Sequence, residues 1–302
     1  MKRYILTLLF IVGICVAARP ERAEALVLPD LEPSVTSGLA RQYGDFYSYS
    51  LPIVNYVTSG STDTYLNSGD PYYVASGPGQ LADNIVIMTG AQAAASNTTG
   101  FEDAYMTPNH ATNASFSTAT AADPDNNGIY ADSLTTWDAN IEALVAYLDG
   151  SMPVFYFNNN ETSSSQDLSI TVTLTLWNSL TSAVYGVYYL IDTTTADNYV
   201  LSGGNVEFDG VTFNHNLGAN NAAYAVVLPA LNDFLAAWTD AGDSQYDMIS
   251  MEISMYGLDN GYEQAFIGRG EYSSSVVPEP ATWLLLGLGL LCLPLVRRFR
   301  RN

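Results

Sequence analysis

Apolar and polar residues alternate along 168–177. Leu168, Ile170, Val172, Leu174 and Leu176 fall on one side, and Ser169, Thr171, Thr173, Thr175 and Trp177 on the other. A period of two over this length predicts a strand with one buried and one wetter face, as in an antiparallel sheet. The pattern returns over 247–255, with Ile249, Met251, Ile253 and Met255 inward. Apolar and aromatic runs at 47–57, 72–75, 84–88, 184–191, 224–228 and 262–267 predict further strands, the run at 184–191 an inner one. Residues 205–208 and 211–213 flank Asp209-Gly210, a pair that tolerates the positive φ of a two-residue type I′ hairpin.

Two stretches carry helical spacing instead. Leu134, Trp137, Ile141, Leu144, Val145 and Leu148 recur at three and four residues, which predicts a helix over 133–149 stopped by Gly150. Pro229 opens a second over 229–241, with Leu231, Phe234, Leu235 and Trp238 on one face and Gly242 at its end. About ten short strands and two helices without a βαβ rhythm predict a mainly β body, an antiparallel, jelly-roll-like β-sandwich with two short-to-medium helices. Residues 26–46, with Pro29 and Pro33, read as a lead-in. Residues 91–128 are rich in Ala, Ser, Thr and Asn with sparse anchors (Phe101, Tyr105, Phe116), and read as a low-complexity excursion over the surface.

The two ends have a different character. Lys2 and Arg3 precede an apolar run to Ala18, and Ala23-Glu24-Ala25 supplies a small-residue cleavage site. This is the pattern of a secretory signal peptide, 1–25, cut after Ala25 by signal peptidase once the secretion machinery engages it, with Val16-Ala17-Ala18 as the weaker alternative site. At the other end stand Pro278-Glu279-Pro280, a charge-free run from Ala281 to Val296, and the basic group Arg297, Arg298, Arg300 and Arg301. Sixteen apolar residues make a helix of about 24 Å, short against a bilayer core of about 30 Å. The arginines hold its far end in the cytoplasm. The two prolines keep the approach extended and open to a membrane protease.

This tail, 277–302, resembles the PEP-CTERM sorting signal of Gram-negative bacteria. The resemblance covers some 26 residues and implies recognition and cleavage by an exosortase. It further implies a setting of exopolysaccharide and biofilm. The protein would cross the inner membrane, be anchored transiently by its C-terminal helix, and end at the cell surface or in the extracellular matrix. The body, 26–276, resembles no characterised family.

Charge and cysteine change the picture of that body. Both cysteines, Cys15 and Cys292, lie in the removable ends, so the body must hold together by burial alone. Only Arg41 and Arg269 of the ten Lys and Arg fall within 26–276. Glu21, Glu24 and Glu279 lie outside it, leaving 28 of the 31 acids inside and a body charge of −26. Such a surface repels nucleic acid and bare anionic membrane, resists self-association, and would need bridging cations to hold an acidic polysaccharide.

Candidate chemistry is sparse. Asp123-Pro124-Asp125-Asn126-Asn127-Gly128 resembles the start of a calcium loop, with Asp123, Asp125 and Asn127 as oxygen donors and Asp132 standing in for the missing acid at the twelfth position, Leu134. The alternative is an Asx-rich turn ahead of the helix. Trp177, with Tyr185 and Tyr189, offers aromatic faces for stacking on sugars, or else packs at the rim of the core. The sequence has neither a Gly-x-Ser-x-Gly elbow nor a His-Glu-x-x-His helix. Of the two histidines, His110 and His215, the latter reads as a turn residue after a strand. Three matches to the glycosylation sequon, at Asn97, Asn113 and Asn160, are what chance gives in so much Asn, Ser and Thr.

The expectation is an exported, non-enzymatic surface or matrix protein with no cofactor other than candidate calcium. The alternative is a carbohydrate-binding or adhesion module. A glycan hydrolase, needing two carboxylates at about 5–10 Å, comes last.

Overall fold

The computed structural model describes residues 25–77, 81, 84–90, 96–108, 113–121, 136–160, 168–194, 200–201, 203–238, 246–259 and 263–273. In chain order the elements are β1 (Leu26–Leu28), α1 (Leu31–Ser37), β2 (Ala40–Tyr43), β3 (Phe46–Ser50), α2 (Leu51–Ser59), β4 (Ile85–Thr89), β5 (Tyr105–Met106), β6 (Ala114–Ser117), β7 (Trp137–Asn140) and α3 (Ile141–Leu148). There follow β8 (Met152–Asn158), β9 (Ser169–Trp177), β10 (Val184–Leu190), β11 (Asn205–Phe208), β12 (Val211–Asn214), β13 (Tyr224–Val227), α4 (Pro229–Ala237), β14 (Met248–Leu258) and β15 (Gln264–Tyr272).

The chain is mainly β, and two sheets share one core. The larger has eight strands in the order β2-β3-β13-β8-β15-β4-β5, with β1 lying parallel to β15. The smaller runs β10-β9-β14-β6, and β7 pairs with the other half of the β14 edge that β6 uses. Phe155, Phe157, Val226 and Ile267 from the first sheet pack in one apolar cluster with Ile170, Leu174, Ile249 and Ile253 from the second. That is the predicted sandwich. The predicted inward sets of β9 and β14 are buried, and the threonines of β9 are half-buried. The Asp209-Gly210 turn also forms, with φ of 49° and 76°.

The larger sheet has a second apolar layer. Tyr156, Phe266, Ala225 and Val227 point away from the sandwich interior and pack with Leu28, Leu51, Val54, Leu66 and Leu81. Side chains of opposite parity on β13, and on β8 from Pro153 onward, are therefore buried, which produces continuous apolar runs rather than alternation.

Several boundaries differ from expectation, each for a local reason. The run at 47–57 is not one strand. Ser50 ends β3 and caps α2, its hydroxyl accepting the Ile53 N–H at 3.3 Å, with Pro52 in the first turn and Gly60 at φ 69° closing the helix. The expected helix over 133–149 starts at Ile141, where Asn140 Oδ1 accepts the Ala143 N–H. Trp137–Asn140 before it is a strand paired with Met248–Met251, and residues 133–135 lie outside the described residues. Residues 72–75 form no strand; Ala75 makes an isolated bridge to Asn221, just ahead of β13. The lead-in holds β1, α1 and β2, so helices number four among the described residues.

The supposed excursion also contributes to the core. Phe101, Tyr105 and Phe116 are buried, and Phe101 stacks on Trp137 at 6.4 Å. Asn97, in the first sequon, is a brace: its amide donates to Val86 O and Glu102 O, and its Oδ1 accepts the Val86 N–H. The run at 184–191, expected inside a sheet, is an edge strand. Its outer rim is met at one point by the β2–β3 turn. There Asp45 N–H donates to Tyr189 O at 2.9 Å and Tyr189 N–H donates to Asp45 Oδ2 at 2.7 Å.

Candidate functional site

One recess among the described residues follows from how β15 is paired. Along one edge, β4 covers β15 as far as the pair Ile267↔Ile85, and β1 takes over at Gly270↔Leu26. Gly268 and Arg269 fall in the gap between the two neighbours. A cleft of about 510 Å³ opens there, lined by Ala25, Leu26 and Val27, by residues 71–75 and by Asn84. Tyr147, Tyr156, Gly268 and Arg269 complete the lining.

Its floor needs a glycine. A Cβ on Gly268 would lie 2.7 Å from the Tyr156 ring and 3.2 Å from Asn84 Oδ1. Tyr156 cannot swing away, because it is buried and stacked on Phe266 at 5.2 Å. Burial pushes the Tyr156 phenol far above its ordinary range, so it is neutral at any physiological pH. The half-buried rings of Tyr72, Tyr73 and Tyr147 form the walls. Tyr73 O–H donates to Asn220 O and Tyr147 O–H to Ile267 O, which fixes both rings.

Arg269 closes one end. Its Nε donates to Tyr147 O at 2.7 Å and its guanidinium carbon stands 4.8 Å from the centre of the Tyr147 ring. No Asp or Glu lines the cleft among the described residues. The arrangement is a groove of phenol rings with one amide and one cation, suited to a ligand with apolar faces and hydroxyl edges.

Trp177, Tyr185 and Tyr189 do not converge on a single platform. Trp177 and Tyr189 share the outer face of the smaller sheet, separated along it by the four residue steps from Thr173, the partner of Tyr189, to Trp177, about 13 Å. Trp177 is half-buried and its Nε1–H donates to Ser250 Oγ at 2.6 Å. Tyr185 sits at the β10 register shift and packs on Phe234 and Tyr246, with ring centres at 4.9 and 5.1 Å.

His215 follows β12, as expected, but it is fully buried and not part of a turn. Its Nε2 lies 2.6 Å from Ser50 Oγ, and its ring stacks on Tyr224 at 4.8 Å. Burial, helped by the charge of Arg41 and opposed by the carbonyls of Phe213 and Gly204, pushes its pKa down to about 4. A general base at neutral pH wants a value near 7. In this structure the pair ties the cap of α2 to the end of β12.

The calcium candidates Asp123, Asp125, Asn127 and Asp132, His110, and the sorting residues Pro278, Glu279, Pro280, Arg297, Arg298, Arg300 and Arg301 lie outside the described residues. Ala25 is described, in the lining of the cleft. Among the described residues no helix is long and apolar enough to cross a membrane, and no group of three His, Cys, Asp or Glu is placed to hold a metal ion.

Sequence reasoning missed the cleft. Its lining comes from six separate stretches, and the one signal was Arg269, a rare cation in an acidic body.

Comparison with known families yields two matches. The model of a domain of unknown function, DUF8239, matches residues 26–210 and 205–254. The PEP-CTERM protein-sorting motif matches residues 276–301. No curated protein and no solved structure matches the chain.

Proposed function

Because the chain belongs to the DUF8239 family and is an exported exosortase substrate by its PEP-CTERM motif, we propose that its body is a carbohydrate-binding component of the cell surface or exopolysaccharide matrix. The observation that carries this reading is the phenol-lined cleft around Gly268. Flat rings held by hydrogen bonds at their edges stack on sugar faces, and the neighbouring amide of Asn84 can meet hydroxyls. Among the described residues the lining holds aromatic rings, an amide and an arginine and no pair of carboxylates, which favours binding over hydrolysis. The acidity of the body keeps it soluble at high local concentration. In this reading the N-terminal segment is removed after Ala25, the tail is removed at Pro278-Glu279-Pro280, and calcium at Asp123, Asp125, Asn127 and Asp132 modulates binding.

The test is retention of the exported protein on the native exopolysaccharide, with calcium and with chelator. Retention that falls at least fivefold in Tyr73→Ala is the expected result. Equal retention of Tyr73→Ala and the unaltered protein would overturn the cleft as the binding surface. Equal retention in calcium and chelator would remove calcium from the account and leave the cleft standing.

A further inference from the structure

Resting on that carbohydrate reading, we infer that the cleft selects acidic sugars, with Arg269 receiving the carboxylate of a uronate residue. The body has two arginines and no lysine among 28 carboxylates, and Arg269, one of the two, lines the cleft of about 510 Å³. The guanidinium is already positioned. Nε is held by Tyr147 O at 2.7 Å and the ring of Tyr147 lies beneath the group at 4.8 Å. Among the described residues neither terminal nitrogen has a protein partner. They form the two-pronged donor set that a carboxylate accepts side by side.

The group is reachable because Arg269 is only half-buried and lines the cleft. Its backbone falls in the two-residue gap between β4 and β1, while β8 pairs with the opposite edge at Pro153. Removal of residues 1–25 would start the chain at Leu26, which lines the same cleft, and so would add an α-ammonium close by. The body could therefore present two of its very few cations to one ligand. Its overall negative charge does not cancel this attraction. At physiological salt, exposed charges beyond about 8 Å are largely screened, whereas a contact inside a cleft is not.

The experiment is calorimetric titration of the exported, processed protein with a galacturonate trisaccharide and with the matching galactose trisaccharide. The acidic sugar is expected to bind at least tenfold more tightly, and this preference should vanish in Arg269→Gln while Arg41→Gln retains it. Arg269→Lys keeps the charge and loses the fork, and should keep part of the preference. Equal affinity for both sugars in the unaltered protein would overturn the inference and leave the carbohydrate reading intact, with no variant needed. Binding of neither sugar would sink both. A preference that persists in Arg269→Gln would place the carboxylate elsewhere and also overturn the inference.

Discussion

In the eight-stranded sheet the neighbours Phe155 and Tyr156 are both buried, Phe155 against the second sheet and Tyr156 beneath the layer that holds Leu51 and Val54. In the five-stranded sheet the neighbours Thr173 and Leu174 are divided, Leu174 in the core and Thr173 toward water. One sheet is enclosed by two apolar layers and the other by one. The enclosed sheet can carry a recess with a rigid floor, because Gly268 and Tyr156 sit between packed layers. The open sheet offers a flat face of hydroxyls with Trp177 and Tyr189 spaced along it.

The largest effect that would break this contrast comes from truncating a ring inside the enclosed sheet. Phe155→Ala should lower stability by about 3–5 kcal/mol, read as a fall in the urea midpoint. Next comes acid. The folded pKa of His215, about 4, lies below its ordinary value of 6.5, so the unfolded chain takes up the proton first. Stability from this group is complete above pH 6.5 and is lost as pH falls from 6.5 toward 4, by about 3 kcal/mol in all. Urea titrations at pH 7 and pH 4 on the unaltered protein and on His215→Gln measure that difference, which should shrink in the variant. Gly268→Ala should cost about 1–3 kcal/mol by pressing a methyl on the stacked Tyr156 ring, and should narrow the cleft. Thr173→Val, on the wet face, should change stability by no more than about 0.5 kcal/mol. A Thr173 effect as large as that of Phe155 would erase the distinction between the sheets.

The same contrast decides what could be read from the chain beforehand. The open sheet showed itself through alternation: Ile170 to Leu176 and Ile249 to Met255 lie inward as the period of two requires. The enclosed sheet gives no alternation, since both faces are apolar, and a continuous run does not distinguish a strand from a buried helix. That is why 47–57 read as a single strand, although Ser50, Pro52 and Gly60 mark a helix inside it. Trp137 has helical spacing to Ile141, Leu144 and Leu148, yet belongs to a strand that enters the helix directly at Asn140. Of the cleft, only Arg269, as a rare cation, left a mark in the sequence. The cleft depends on where β4 stops and β1 begins against β15, a fact of pairing and not of local pattern.

The central claim is that ligand meets the enclosed sheet at the β15 gap and not the flat outer face of the smaller sheet. An NMR titration of the isotopically labelled, exported protein with oligosaccharides from the native exopolysaccharide tests it most directly. The account predicts saturable shifts at Tyr72, Tyr73, Asn84, Gly268 and Arg269, with the signals of Thr171, Thr173, Trp177 and Tyr189 unmoved. Shifts confined to Trp177 and Tyr189, or no shifts at all, would contradict it.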